Sequence, residues 1–485
     1  MKHGFDAVIV GAGAGGGAAA WRLCSKGLNV LMLEAGPRFE PSVDYPLDNA
    51  GWERNLFPQK GASQARITYG DLGELDPGHA DLASWNAVSG RLVAGTKRGV
   101  VRGGGYSHVQ GVGGSTLHYV GEAHRMHPGS LRLRSEFGLG TDWPLSYEDL
   151  EPYYAECEEL IGVAGPEAQG ARWRSRDFPL PAHPLSPAAQ RLAEAGRRIG
   201  MDWQANSRAA LSQPYDDRPP CNYCGNCSRG CPLGDKGSTD VTFIAKAETS
   251  GRLTLETGAA VTRLIAGPGG AITRLEYVQD GRVQQVETPV LILAAGAVQT
   301  PRLLLANASA DQPDGIANGS GQVGRNFMET LSWHSAGLLD GLEMSHAGLP
   351  SDAICWDFNA PGSVAGATGG CRFNSNVQET GLVGPIAYGS RLIEGYGAGF
   401  KAQMRNAFGS AISVGAIGET IPDSRSFVAL HPEERDTHGV PLPLIHSVLT
   451  EDSIALLNFM AAKARELLSE AGVVQLLEEG GSWDS

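Results

Sequence analysis

The run "DAVIVGAGAGGGAAAWRLCSKGLNVLMLEAGP" (residues 6–37) constrains the fold more than any other stretch of this chain. It reads as a strand Ala7–Val10, a glycine turn, a helix from about Gly15 to Lys26, and a second strand Leu28–Leu33 ending at Glu34. Gly11 allows the tight turn, Gly13 lets the backbone approach a pyrophosphate, and Gly16 lets helix and strand pack closely. The helix N-terminus then offers unpaired N–H groups and positive potential to the phosphates. Glu34 stands 21 residues past Gly13, near the spacing of an acid that meets a ribose hydroxyl. The unit is a dinucleotide-binding βαβ, and the fingerprint alone does not separate FAD from NAD.

The later chain narrows the choice. Residues 253–307 alternate as strands joined by turns at Pro268-Gly269-Gly270 and Asp280-Gly281, followed by an apolar strand Val290–Ala294 and a turn at Gly296. A short antiparallel meander feeding back into the nucleotide sheet is the layout of a large flavoprotein. A formal charge of −14 with no basic stripe argues against a nucleic-acid partner. No run of about 18 apolar residues exists to span a membrane. The N-terminus enters its first strand too soon for a signal peptide, so no export signal of its own is expected. Compartment stays open between the cytoplasm and carriage to the periplasm by a partner.

Four of the eight cysteines fall within "CNYCGNCSRGCPLGDK" (221–236). Cys221, Cys224, Cys227 and Cys231 follow C-x2-C-x2-C-x3-C, then Pro232, the spacing of a bacterial ferredoxin run that points thiolates at a cubane. In that run the fourth cysteine usually serves a second cluster. Structural zinc sites pair two separated knuckles, and no second knuckle follows here. Disulfides between such near neighbours would be strained. The spacing thus disfavours zinc and disulfides. Cys24, Cys157, Cys355 and Cys371 stand singly and read as small buried hydrophobes.

Four stretches carry a family resemblance: "VIVGAGAGGGAAAWRL…VLMLEAGP", "GVGGSTLHYVGEAHRMHP" (111–128), "DWPLSYEDLEPYYAECEELIGVAG" (142–165) and "LAAGAVQTPRLLLANAS…GQVGRNFME" (293–329). On these the chain resembles the glucose–methanol–choline (GMC) oxidoreductases. The resemblance implies that Gly113, Gly114, Ser115 and Thr116 run past the isoalloxazine of FAD, and that His118 stands where some members attach the flavin covalently. Many members have an asparagine where Tyr119 stands. Val261, in "GAAVTRL", matches a position whose backbone meets the adenine. "GAVQTPRLLL" matches a second signature, in which Thr300-Pro301 would open a helix pinned to the sheet by Leu303, Leu304 and Leu305. The large subunits of multi-subunit members acting on gluconate, fructose, glucose or glucosides carry a cysteine cluster here, in some a [3Fe–4S] ligated by C-x5-C-x3-C. Cys221, Cys227 and Cys231 fit that subset, leaving Cys224 as an extra. Either a [3Fe–4S] or a [4Fe–4S] cluster is therefore expected.

The implied fold is α/β: a discontinuous Rossmann-like FAD-binding domain with a β-meander (1–135 and 232–330), an insertion with a helix and the cysteine loop (136–231), and an α+β substrate-binding domain on an antiparallel sheet with the start of the family's C-terminal region (331–485). In the last part, Ile454, Leu457, Met460, Ala464 and Leu467 repeat at helical spacing, with Gly472 as a stop. The implied activity is FAD-dependent oxidation of a CH–OH group of a sugar or sugar derivative by hydride transfer to flavin N5. Electrons would leave through the cluster to a cytochrome or quinone acceptor, with a small subunit as partner. An oxygen-using alcohol oxidase with structural cysteines, and a silent incomplete subunit, are the alternatives. The family's H-x-x-GT-x-RMG segment, catalytic His pair and closing strand are expected beyond Ser485. His334, His431, His438 and His446 lack the family's catalytic context, so no catalytic residue is assigned.

Overall fold

The computed structural model describes residues 2–45, 66–69, 101–103, 109–167, 173–377, 382, 384, 385, 388, 389, 392–474 and 476–484. Of the span 1–135 expected to bind flavin, residues 46–65, 70–100 and 104–108 lie outside the described ones. The fingerprint folds as a parallel four-stranded sheet in the order Leu291–Leu293, Ala7–Val10, Val30–Leu33, Leu253–Glu256. Every residue of the two middle strands is buried, because both faces of a parallel sheet are covered and no alternation survives. One face carries the helix Ala14–Ser25 with Ile244 and Ala247, packed on Ile9, Val30 and Met32. A Cβ on Gly16 would collide with the Gly11 carbonyl oxygen, so glycine there sets how closely helix and strand approach.

The other face is closed by the expected meander, Ala260–Ala266, Ile272–Gln279 and Arg282–Glu287. Its Leu264, Leu275, Tyr277 and Val286 meet Val8, Val10, Leu31 and Leu33. The helix expected to open at Thr300-Pro301 starts four residues earlier, spanning Gly296–Ala306 with Pro301 inside it. The strand ends at Leu293 and the chain turns directly into helix. The Thr300 hydroxyl accepts from Ala295 N at 3.2 Å instead of capping a later start.

A six-stranded antiparallel sheet forms the second body of the fold, ordered Leu476–Asp484, Thr330–Leu338, Ala411–Gly418, Cys371–Ser375, Ala353–Cys355, Trp203–Ala205. Helix Glu451–Ala471 covers it with Ile454, Leu457, Met460, Ala464 and Leu467, the stripe visible in the sequence. Thr450 caps its start, accepting from Ser453 N at 3.1 Å, and Gly472 ends it at φ 101°. Arg302, on the helix Gly296–Ala306, donates to Pro441 O at 2.6 Å and to Asp436 at 2.7 Å on the hairpin Phe427–Ser447, which belongs to a separate four-stranded sheet with Arg66–Tyr69 and Val101–Gly103. Among the described residues, no helix is long and apolar enough to cross a membrane.

Candidate flavin site and cysteine loop

The glycine turn Gly11–Gly13 lies at the carboxyl end of the central strand, where the strand order reverses and open α/β sheets leave a crevice. The segment 111–117 docks on it. Gly113 N donates to Ala12 O at 2.9 Å, and a Cβ on Gly114 would lie 2.8 Å from Gly13 Cα. Gly113 has φ 108°, a conformation other residues rarely adopt. Its carbonyl accepts from the Thr116 hydroxyl at 2.5 Å and the Thr239 hydroxyl at 3.1 Å, while Thr239 N donates to Thr116 Oγ1 at 3.0 Å. Ser115 is exposed at this rim. The first helix starts with no side-chain cap and no acidic residue in its first turn, which leaves N–H groups and positive potential for an anion. Beside the loop, Asp240 Oδ1 is buried with no hydrogen-bond partner. A glycine cradle that Cβ atoms would fill, an uncapped helix end and an unsatisfied acceptor together fit a dinucleotide.

Glu34 stands at the strand end, as the spacing predicts, but its oxygens engage the turn itself. Oε2 accepts from Ala12 N at 2.8 Å and Oε1 from Gly36 N at 2.9 Å. Burial pushes its carboxyl up, opposed by these backbone donors. Val261 lies half-buried on the outer meander strand opposite Tyr277.

The cysteine loop is fastened to the same glycine segment. Lys236 Nζ, 1% exposed, donates to Leu117 O at 2.8 Å, Tyr119 O at 2.9 Å and Cys227 O at 2.7 Å. Burial pulls its ammonium down to about 8. His118 Nδ1 lies 2.7 Å from Ser228 O, and the Tyr119 hydroxyl donates to Gly237 O at 2.9 Å. The position that resemblance links to flavin attachment therefore contacts the cysteine loop.

The convergence of thiolates expected from the spacing is not formed. None of the eight cysteines is in a disulfide, and among the described residues no three His, Cys, Asp or Glu side chains are gathered to hold a metal ion. Instead the Cys231 thiol donates to Asp235 Oδ1 at 2.8 Å, and Cys221 also bonds Asp235. Burial and then Asp235 push Cys231 up to about 12, and the same two causes raise Cys221. Cys227 is buried and Cys224 exposed.

A second polar network, missed from sequence, follows the glycine loop. Arg372 pairs with Glu122 at 2.5 Å, and Asn206 donates to Glu122 Oε1 at 3.0 Å while its Oδ1 lies 2.7 Å from His124 Nε2. Burial pushes Glu122 up, but Arg372, His124 and Arg208 hold it down to about 2; burial and Arg372 lower His124 to about 4. The titratable pair was visible in "GEAHR", but Arg372 lies 250 residues away.

Of the histidines set aside as catalytic, His334 sits on the strand Thr330–Leu338. His431 Nδ1 accepts from Glu434 N at 2.9 Å, and His446 stacks on Phe427 with its Nδ1 2.7 Å from Arg425 O. His438 is exposed in the turn of that hairpin.

A GMC oxidoreductase family model matches residues 134–331, and a Rossmann-like NAD(P)-binding domain model matches 9–40. The chain is 29% identical over 477 residues to the fructose dehydrogenase large subunit of Gluconobacter japonicus, covering 96% of this chain and 82% of that one. It is 27% identical over 498 residues to the 2-methyl-1,2-propanediol dehydrogenase of Mycolicibacterium austroafricanum, covering 98% and 82%. The crystal structure of pyridoxine 4-oxidase from Mesorbium loti shares the fold, with a TM-score of 0.56 at 19% identity over 97% of this chain and 80% of that one. The glycine crevice, the meander behind it and these matches lead to one assignment: the chain belongs to the GMC oxidoreductase family.

Proposed function

We propose that this protein is an FAD-dependent dehydrogenase that oxidises a CH–OH group of a sugar or sugar derivative and hands the electrons to a partner in place of oxygen. The docking of 111–117 onto the fingerprint turn, with the cysteine loop fastened to its far side, carries the reading. Bound FAD would supply hydride acceptance at N5. Gly11, Gly13, Gly16 and the helix end behind them would hold its pyrophosphate, and Glu34 would stand by the ribose. Gly113, Gly114, Ser115 and Thr116 would flank the ring, His118 would sit at its edge, and the Val261 backbone would face the adenine. In this division 1–135 and 232–330 hold the flavin, 136–231 carries the electron exit and 331–485 forms the substrate side. A sugar and a diol in the relatives' names support a CH–OH donor.

Four thiols in one short loop are chemically suited to an iron–sulfur cluster, and the bonds from Lys236 that join the loop to the glycine segment support reading it as an electron exit. Loading it requires Cys221 and Cys231 to leave Asp235.

Purified protein should contain about one flavin per chain, and fructose, gluconate, glucose or a vicinal diol should bleach it anaerobically, with turnover on ferricyanide or a quinone. Absence of flavin would sink the proposal. Peroxide formed in step with substrate oxidation would instead establish the oxidase reading.

A further inference from the structure

The glycine segment continues past Leu117 to Arg125, and two attachments fix its course over the antiparallel sheet. The first is made by the backbone. Ala123 N donates to Ser207 O at 3.2 Å and Ala209 N to Gly121 O at 2.6 Å, which zips the segment to the chain that follows the edge strand Trp203–Ala205. The second is the ion pair Glu122–Arg372. Arg372 Nη2 and Nη1 donate to the two oxygens of Glu122 at 2.5 and 3.3 Å, a fork that fixes angle as well as distance. Arg372 stands on the strand Cys371–Ser375, two strands in from that edge, which is about 10 Å at the spacing of neighbouring strands. One attachment alone would let the segment swing over the sheet. A second, displaced across the strands, removes that freedom.

The pair also decides which face of the sheet the segment meets. Arg372 is opposite Ile417 and Ile417 opposite Ser332; one pleat on, Asn374 is opposite Gly415 and Gly415 opposite His334. Opposed residues share a face. The other face is the one whose Trp333, Phe373, Val414 and Ala416 pack under the helix Glu451–Ala471, so the segment lies across the more polar one. Both charges are largely withdrawn from water, the Glu122 side chain 17% and the Arg372 side chain 13% exposed. Asn206 donates to Glu122 Oε1, and Arg208 is a second positive neighbour of Glu122. Neither member of such a pair can be withdrawn without stranding the other.

We infer that Glu122 and Arg372 are positioning residues that hold the polar face of the antiparallel sheet in register with the segment that flanks the flavin ring. The inference rests on the dehydrogenase reading proposed above. A substrate carried on that face is then placed against the ring by the fork, and a misplacement of about 1 Å between reacting groups costs on the order of 100-fold in rate. The fork therefore bears on the rate of substrate oxidation more than on substrate binding.

The test uses two variants. Arg372→Lys keeps the charge and loses the fork. Glu122→Gln combined with Arg372→Met removes both charges and strands neither, so that a folding failure of one variant leaves the other to decide. Anaerobic flavin bleaching by fructose or a vicinal diol is read at saturation, together with apparent substrate affinity, flavin affinity and the urea midpoint. Hydrogen exchange of peptides covering 117–125 reads the attachment itself without turnover. Both variants should bleach about tenfold more slowly at saturation, with substrate and flavin affinities within about threefold of wild type. Residues 117–125 should exchange about tenfold faster. Bleaching at the wild-type rate in the flavin-loaded variants overturns this inference alone, and a lowered urea midpoint with that rate marks a purely structural pair. A slow double variant beside a wild-type Arg372→Lys rate also overturns it, since charge and not position is then at work. Wild-type protein that holds flavin but is bleached by no sugar or diol overturns the dehydrogenase reading and this inference together.

Discussion

Gly114→Ala strikes the contact on which the proposed flavin crevice is built. Gly114 has φ 53°, and an added Cβ would lie 2.8 Å from Gly13 Cα. Carbon atoms rest at about 3.5 Å or more, so the two loops would have to part by roughly 0.7 Å. An L-residue in the left-handed region costs about 1–2 kcal/mol. Parting the loops also strains the Gly113 N–H bond to Ala12 O, whose net worth is about 1 kcal/mol. Only the movement of the loops bears on flavin, and at about 1.4 kcal/mol per decade it should weaken flavin binding on the order of tenfold. Gly27→Ala is the control, since Gly27 has φ 87° and nothing within 4 Å of the added Cβ. It should lose about 1–2 kcal/mol of stability through backbone strain and bind flavin as before. Flavin titration of the apoprotein by fluorescence quenching, paired with urea unfolding, reads both quantities. Wild-type flavin affinity in Gly114→Ala, or equal flavin loss in Gly27→Ala, would refute the reasoning.

Three further outcomes are expected. Unfolded histidine protonates near pH 6.5, whereas His124 stays neutral down to about 4. Stability should therefore fall as pH drops from about 6.5 towards 4, and Glu122, held down to about 2, should extend the loss as pH falls below about 4.5. His124→Gln should flatten the upper limb of a urea-midpoint profile, and an unchanged profile would count against the assignment. In metal-free protein, Asp235→Asn removes the carboxylate that, after burial, keeps Cys231 high, so Cys231 should alkylate several-fold faster at neutral pH by peptide mapping; an unchanged rate refutes the thiol–carboxylate bond. Leu457→Ala in the helix over the antiparallel sheet, at 0% exposure, should cost about 2–5 kcal/mol in urea unfolding, and a cost below 1 kcal/mol would mean the site collapses around the cavity.

The parts of the fold that were legible share one property: their signal is local. Glycines 11, 13 and 16, a buried apolar strand and a helix between them specify a βαβ unit within about thirty residues. Pro268-Gly269-Gly270 and Asp280-Gly281 mark the meander turns directly, with φ of 80°, 81°, 50° and 70° at residues 269, 270, 280 and 281. Ile454, Leu457, Met460, Ala464 and Leu467 announce the covering helix by their spacing. The start of the 296–306 helix was misplaced because Thr-Pro resembles a cap and first turn, while the Thr300 hydroxyl in fact reaches back to Ala295.

What the sequence alone determined is therefore the nucleotide-binding half and its family, because glycine conformations and short-range periodicity act within one element. The tertiary structure decided the surroundings of the site. Gly113 meets Ala12 across a hundred residues, Lys236 joins the glycine segment to the cysteine loop, and Arg372 reaches Glu122 from the antiparallel sheet. It also turned two of the four cysteines towards Asp235. Spacing can propose a ligand set, but the environment decides whether a thiol there is proton donor or thiolate. Burial and the neighbouring charges that set that balance come from chain segments the motif does not contain.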